Sequence, residues 1–128
     1  MPGEALYSAA LSDANETPPV TSGATGNGQF ILSPDQTSIR YELALFKLTP
    51  TLAHIHQGAA GVAGPVVYPL ALLTGYDSTP MATAGAVGSL AITAPDLTDL
   101  DAGNWYANAH STDFSKGATR GQIVRPDQ

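Results

Sequence analysis

Between residues 38 and 48, Ile39, Tyr41, Leu43 and Leu45 fall on every second position and alternate with Ser38, Arg40, Glu42 and the small Ala44. Successive side chains of an extended chain point to opposite faces, so this period predicts a strand with one face on a core. Shorter runs of the same kind predict strands over residues 4–11, 29–33, 52–57, 66–73, 87–93, 105–110 and 119–125. The breaks between them are rich in glycine and proline: Pro18-Pro19, the 23–28 approach, Ser33-Pro34-Asp35, Thr49-Pro50-Thr51, and Gly58, Gly61 and Gly64 before Pro65. Residues 77–84 read as loop, and Lys116-Gly117 as the turn before the last strand. Pro69 marks its strand as an edge or a bulge. One segment has another period: residues 94–103 carry Pro95 near the start, Asp96 in the first turn, Leu97 and Leu100 three apart, and Gly103 at the close, which predicts one short helix. Trp105, Tyr106, Tyr41 and Phe30 are expected to pack rather than to form a ligand cage. The expected fold is all-β, an antiparallel Greek-key sandwich or barrel with one short helix.

Composition narrows this reading. The 128 residues are enough for a single domain, 1–128, with one core. A formal charge of −6, with only five scattered Lys and Arg, argues against a nucleic-acid footprint or a polybasic membrane surface. No apolar run approaches the length of a membrane span. The start Met1-Pro2-Gly3-Glu4 lacks the basic and apolar regions of a signal peptide, so a cytosolic protein and the mature form of an exported one are both open. The absence of cysteine excludes disulfides, thiolate nucleophiles and cysteine-ligated metals.

The candidate chemistry lies in the three histidines. His54 and His56 share one face of the predicted 52–57 strand, and His110 ends the 105–110 strand. If those strands are neighbours, three imidazoles supply a nitrogen-only site suited to copper, with zinc as the alternative. Tyr106 and Asn108 share the face of His110 and are candidates to orient an imidazole by hydrogen bonding, and Asp113 is a candidate carboxylate nearby. The competing reading is structural, with His54 and His56 bonded to carbonyls of the 58–64 loop. Glu16 and Arg120 are expected to pair and tie the proline-rich loop to the last strand; alternatively Arg120 guides an anion to a metal. Asp96, Asp99 and Asp101 lack the glycine and the glutamate of an EF-hand loop. No nucleophile elbow or phosphate-binding loop is present.

Four blocks carry a family resemblance: residues 11–20 (Leu-Ser-Asp-Ala-Asn-Glu-Thr-Pro-Pro-Val), Ala53-His54-Ile55-His56 with Gly64-Pro65-Val66-Val67, residues 105–110 (Trp-Tyr-Ala-Asn-Ala-His), and Arg120-Gly121-Gln122-Ile123. In this order they resemble the CHRD domain, the chordin-type module, over nearly the whole chain. The resemblance implies an all-β module that is secreted, periplasmic or at the cell surface, and brings no settled enzymatic activity. The His-x-His strand, third histidine and late arginine are also similar to the copper side of copper/zinc superoxide dismutases. The chain departs from them in lacking a fourth copper histidine, a zinc cluster and a disulfide. The leading expectation is an exported CHRD-type domain that binds copper through His54, His56 and His110. The alternatives are a structural or adhesive surface module, whose protein partner the sequence does not name, and a copper-dependent oxidoreductase of dismutase type.

Overall fold

The computed structural model describes residues 3–73 and 84–125. Eight strands and one α-helix follow in order: β1 (Ala5–Ser12), β2 (Thr25–Leu32), β3 (Ser38–Phe46), β4 (Leu52–Gln57), β5 (Val66–Pro69), β6 (Ala84–Ala91), α1 (Ala94–Asp101), β7 (Trp105–His110) and β8 (Thr119–Gln122). A short 3-10 turn, Asp13–Asn15, follows β1. The sheet order is β5-β4-β7-β8-β1-β2-β3-β6, and every described pairing is antiparallel. Its two ends approach each other beyond β5, where Leu72 bridges Ala86 and Leu73 N donates to Gly85 O at 2.9 Å. Read round the nearly closed ring, the connections β3–β4 and β6–β7 each step over two strands, the Greek-key pattern expected of an all-β barrel.

The alternation read between residues 38 and 48 does place Ile39, Tyr41, Leu43 and Leu45 inside, all nearly inaccessible. With Tyr7, Phe30, Ile55, Trp105 and Ile123 they fill the barrel, each large side chain contributing about 1.5–3 kcal/mol over an exposed position. β3 ends where Lys47 turns to φ +59°. β2 begins at Thr25, earlier than the expected residue 29. Gly26 and Gly28 belong to the strand, because a Cβ there would lie 3.0 Å from Leu45 Cδ2 and 2.8 Å from Phe30 Cε1. Glycine in this strand makes room for its neighbours and does not mark a turn.

The predicted helix is present, opened by a capping box between Thr93 and Asp96 and followed by Gly103 at φ +75°. Leu100 anchors it in the core. Its acids hold it to the barrel: Asp96 accepts from Tyr68, Asp99 from Gln57 Nε2 at 2.9 Å, and Asp101 from Tyr7. β6 begins at Ala84, ahead of the expected residue 87; the rest of the 77–84 loop expectation lies outside the described residues. No helix among the described residues is long and apolar enough to cross a membrane.

Candidate metal centre

The candidate residues lie on the outer face of one barrel wall, formed by β4, β7 and β8. Ala53 and Ile55 of β4 and Trp105, Ala107 and Ala109 of β7 point into the core. By alternation His54, His56, Tyr106, Asn108, His110, Arg120 and Gln122 point outward. Antiparallel register sets them in rows: His54 opposite Asn108 and Asn108 opposite Arg120; His56 opposite Tyr106 and Tyr106 opposite Gln122; His110 opposite Leu52. An outward face is normally wet, yet all six residues of β7 are buried. The loops explain this. Residues 58–64 fold back over the wall, held by Gly58 N to Asn104 O at 2.6 Å, Gln122 Nε2 to Gly58 O at 3.1 Å and Arg120 Nη2 to Ala59 O at 2.9 Å. Residues 111–117 cover the end at His110.

This roof fixes the histidines. His56 Nδ1 lies 2.9 Å from Gly64 O, and His110 Nδ1 lies 2.8 Å from Ser115 O. A carbonyl only accepts, so in both rings Nδ1 carries the proton and Nε2 presents a lone pair. Those two Nε2 atoms, and Nδ1 of His54, are buried without a hydrogen-bond partner. One ring nitrogen from each histidine lies within 4.8 Å of the others. Ring centroids are 5.6 Å apart for His54 and His56, 5.2 Å for His54 and His110, and 6.4 Å for His56 and His110. Nitrogens about 2.05 Å from one ion stand roughly 3.3–4.1 Å apart, so seating an ion draws the ring nitrogens together by up to about 1.5 Å. The donor set otherwise fits a transition metal: an unpartnered buried polar atom costs about 1–3 kcal/mol, and three such nitrogens converge here.

Burial pushes the His54 pKa below the ordinary imidazole value, helped by the neighbouring His110 and His56. Burial also lowers that of His56; the Gly64 carbonyl and the Asn108 amide oppose the shift, while His110 and Arg120 add to it. Both rings therefore favour the neutral form that a metal requires.

Behind His56 stands a stack that the sequence did not reveal. The Tyr106 ring lies parallel to His56 within 9° at 4.8 Å, and the Arg120 guanidinium carbon is 3.4 Å from the Tyr106 centroid. The Tyr106 hydroxyl accepts from Gly64 N at 3.1 Å, so it positions the residue whose carbonyl orients His56. Replacing Tyr106 by Phe keeps the stack and removes this tether. The expected result is a roughly tenfold or greater loss of metal affinity with the fold retained, read by competition against a chelator.

The other expected residues divide. Asn108 is buried within the wall, its Oδ1 without a partner. Asp113 is exposed and does not join the histidine group, because the 111–117 loop carries it outward. Glu16 and Arg120 are both buried, at 6% and 1% exposure, but form no ion pair. Arg120 donates instead to Thr17 Oγ1, Ala59 O and Gln122 Oε1 at 2.9–3.2 Å. The Glu16 carboxyl rests against Gly117, where an added Cβ would meet its oxygens at 2.5–2.6 Å.

Burial raises the Glu16 pKa to about 7, against a smaller lowering by Arg120. The folded state thus holds this proton more tightly than the unfolded chain. The resulting penalty is absent below pH 4.5, grows as pH rises and is complete above about pH 7. Glu16→Gln is therefore expected to stabilise the protein by about 3 kcal/mol at pH 8 and to change little at pH 4.5. Denaturant titration of both proteins at the two pH values measures this difference, from which the opposite contributions of His54 and His56 cancel.

The expectation that the strand histidines bond to carbonyls of the 58–64 loop holds for His56, at Gly64 O. Sequence reasoning did not single out Ser115, which acts through a backbone carbonyl and leaves no side-chain signature, or Gln122, which stood out only as a member of the 120–123 block. The sequence profile of the CHRD domain matches residues 7–123. Neither a curated protein nor a solved structure matches the chain.

Proposed function

Because the chain belongs to the CHRD domain family, we propose that it is an exported CHRD domain that captures or delivers a transition-metal ion, copper in preference to zinc, through His54, His56 and His110. The observation that carries this reading is the convergence of three buried, unpartnered imidazole nitrogens on one roofed wall. Two of the rings have their tautomers fixed so that Nε2 is free to coordinate. The set is nitrogen-only, with neither thiolate nor carboxylate, and at such a site affinity rises from zinc to copper(II). Copper bound there would supply one-electron redox capacity.

The chain's own part is to orient and to shield. The Gly64 and Ser115 carbonyls hold two rings, the 58–64 and 111–117 loops keep water from their inner sides, and half-buried His54 marks the accessible side. An exported setting is the one that CHRD membership suggests.

The test is to load purified protein with copper(II), remove the excess, and measure bound metal together with its EPR spectrum. One ion per chain with nitrogen couplings, resistant to a zinc challenge, is the expected result. Retention of zinc but not copper would reverse the metal preference. Retention of neither would overturn the metal reading in favour of a structural surface module.

A further inference from the structure

Beside the histidines, and sharing Arg120 and Gln122 with their wall, lies a cavity of about 640 Å³ between the 14–19 and 60–61 segments. Ala14, Pro18, Pro19 and Ala60 are exposed whereas Arg120 is not, so the guanidinium lies at the inner end. Its charge has no contacting carboxylate. The three acceptors it reaches are neutral, and one face is covered by Tyr106. Of the five N–H donors that arginine carries, three are used and two remain. The one carboxylate near it, Glu16, acts on it without touching it, so the buried charge is only partly compensated, and a cavity beside it is where an anion would relieve that cost.

The surroundings specify the anion. A single cation, with the Glu16 carboxyl also in the lining, disfavours a doubly charged phosphate; both Nη2 hydrogens are taken, so the two remaining donors, on Nε and Nη1, each offer a single charge-assisted hydrogen bond to a carboxylate. The outer walls are alanine and proline, which suit an apolar body, and the volume is that of a small-molecule site. We propose that this cavity binds a small organic monocarboxylate, its carboxylate on Arg120 and its apolar body against Pro18, Pro19 and Ala60. The site needs neither the histidines nor a metal.

Metal-free protein, titrated by ¹H–¹⁵N NMR with acetate, hexanoate and benzoate, tests it; benzyl alcohol and inorganic phosphate serve as comparators. Saturable shifts centred on Ala60, Gly61 and Gln122 are expected for hexanoate or benzoate. Benzyl alcohol and phosphate should each bind at least about tenfold more weakly than benzoate. Arg120→Gln should weaken benzoate about tenfold or more. Should that variant not fold, Ala60→Trp decides, since it places a large side chain at an exposed lining position and leaves Arg120 itself unchanged. Three results would overturn the proposal: no saturable binding by any of the acids, equal binding of benzyl alcohol, or undiminished benzoate binding in folded Ala60→Trp. Because the titration is done without metal, its failure leaves the histidine reading untouched, and a failed copper test leaves this one standing.

Discussion

Alanine in place of His54, His56 or His110 is expected to lower copper(II) affinity by at least about a hundredfold in each case, with the metal-free barrel intact. Disturbing a residue that merely orients a ligand costs about 10–100-fold, and removing one of three ligands costs more. The barrel tolerates the change because the rings lie outside it: Ala53, Ile55, Ala107 and Ala109, their inward neighbours, keep their packing. In the metal-free protein two effects oppose each other. Deleting a ring forfeits contacts under the roof, but also removes a buried nitrogen without a partner. The net change should lie within about 1 kcal/mol, a shift of a few degrees in Tm. His54→Ala should be the mildest, since His56→Ala and His110→Ala also strip the Gly64 and Ser115 carbonyls of their donors. Chelator competition and thermal melts of the three variants give both quantities. Unchanged affinity in both His54→Ala and His56→Ala would eliminate the three-histidine centre.

The second large effect comes from a residue without a side chain. Gly64→Ala would set a Cβ 1.7 Å from Gln57 O and 2.8 Å from Gln57 C, and backbone cannot swing aside as a flexible side chain can. The loop must lift from the wall. That breaks the contact of His56 with the Gly64 carbonyl and the bond from Gly64 N to Tyr106, and strains the bond from Gln57 N to Pro65 O. A loss of about 3 kcal/mol or more is expected, lowering Tm by roughly 10 °C. Metal affinity should also fall about 10–100-fold in molecules that remain folded, because His56 loses its orienting partner. Gly61→Ala is the control. It meets nothing within 4 Å, and its φ of +80° costs about 1 kcal/mol. Calorimetry and metal titration of the pair separate close approach from backbone conformation; equal, small losses in both variants would refute the argument.

What the sequence disclosed depended on whether side chains carried the information. β3 was plain because its apolar period is unbroken, and the shared face of His54 and His56 followed from their spacing. Gly26 and Gly28 misled because a glycine that yields space to Leu45 or Phe30 looks, in sequence, like one that makes a turn. The meeting of His110 with the pair rests on β4 lying beside β7, an adjacency no local pattern encodes. Residue chemistry suggested that Glu16 and Arg120 should pair, but the guanidinium is taken by the Tyr106 face and neutral acceptors. The roof was legible in part: bonds from the strand histidines to the 58–64 carbonyls could be anticipated, as His56 shows, whereas the Ser115 carbonyl that holds His110 left no side-chain signature.

The adjacency of β4 and β7 has a kinetic consequence. β5, β6 and α1 all intervene in the chain, so the third imidazole arrives only after a slow long-range pairing. A partly folded chain offers His54 and His56 alone, a much poorer chelate. Copper should therefore leave the refolding rate almost unchanged and slow unfolding instead, as expected of an ion that recognises the completed barrel but not the transition state leading to it. The metal would act as a latch fitted after assembly rather than as a nucleus for it.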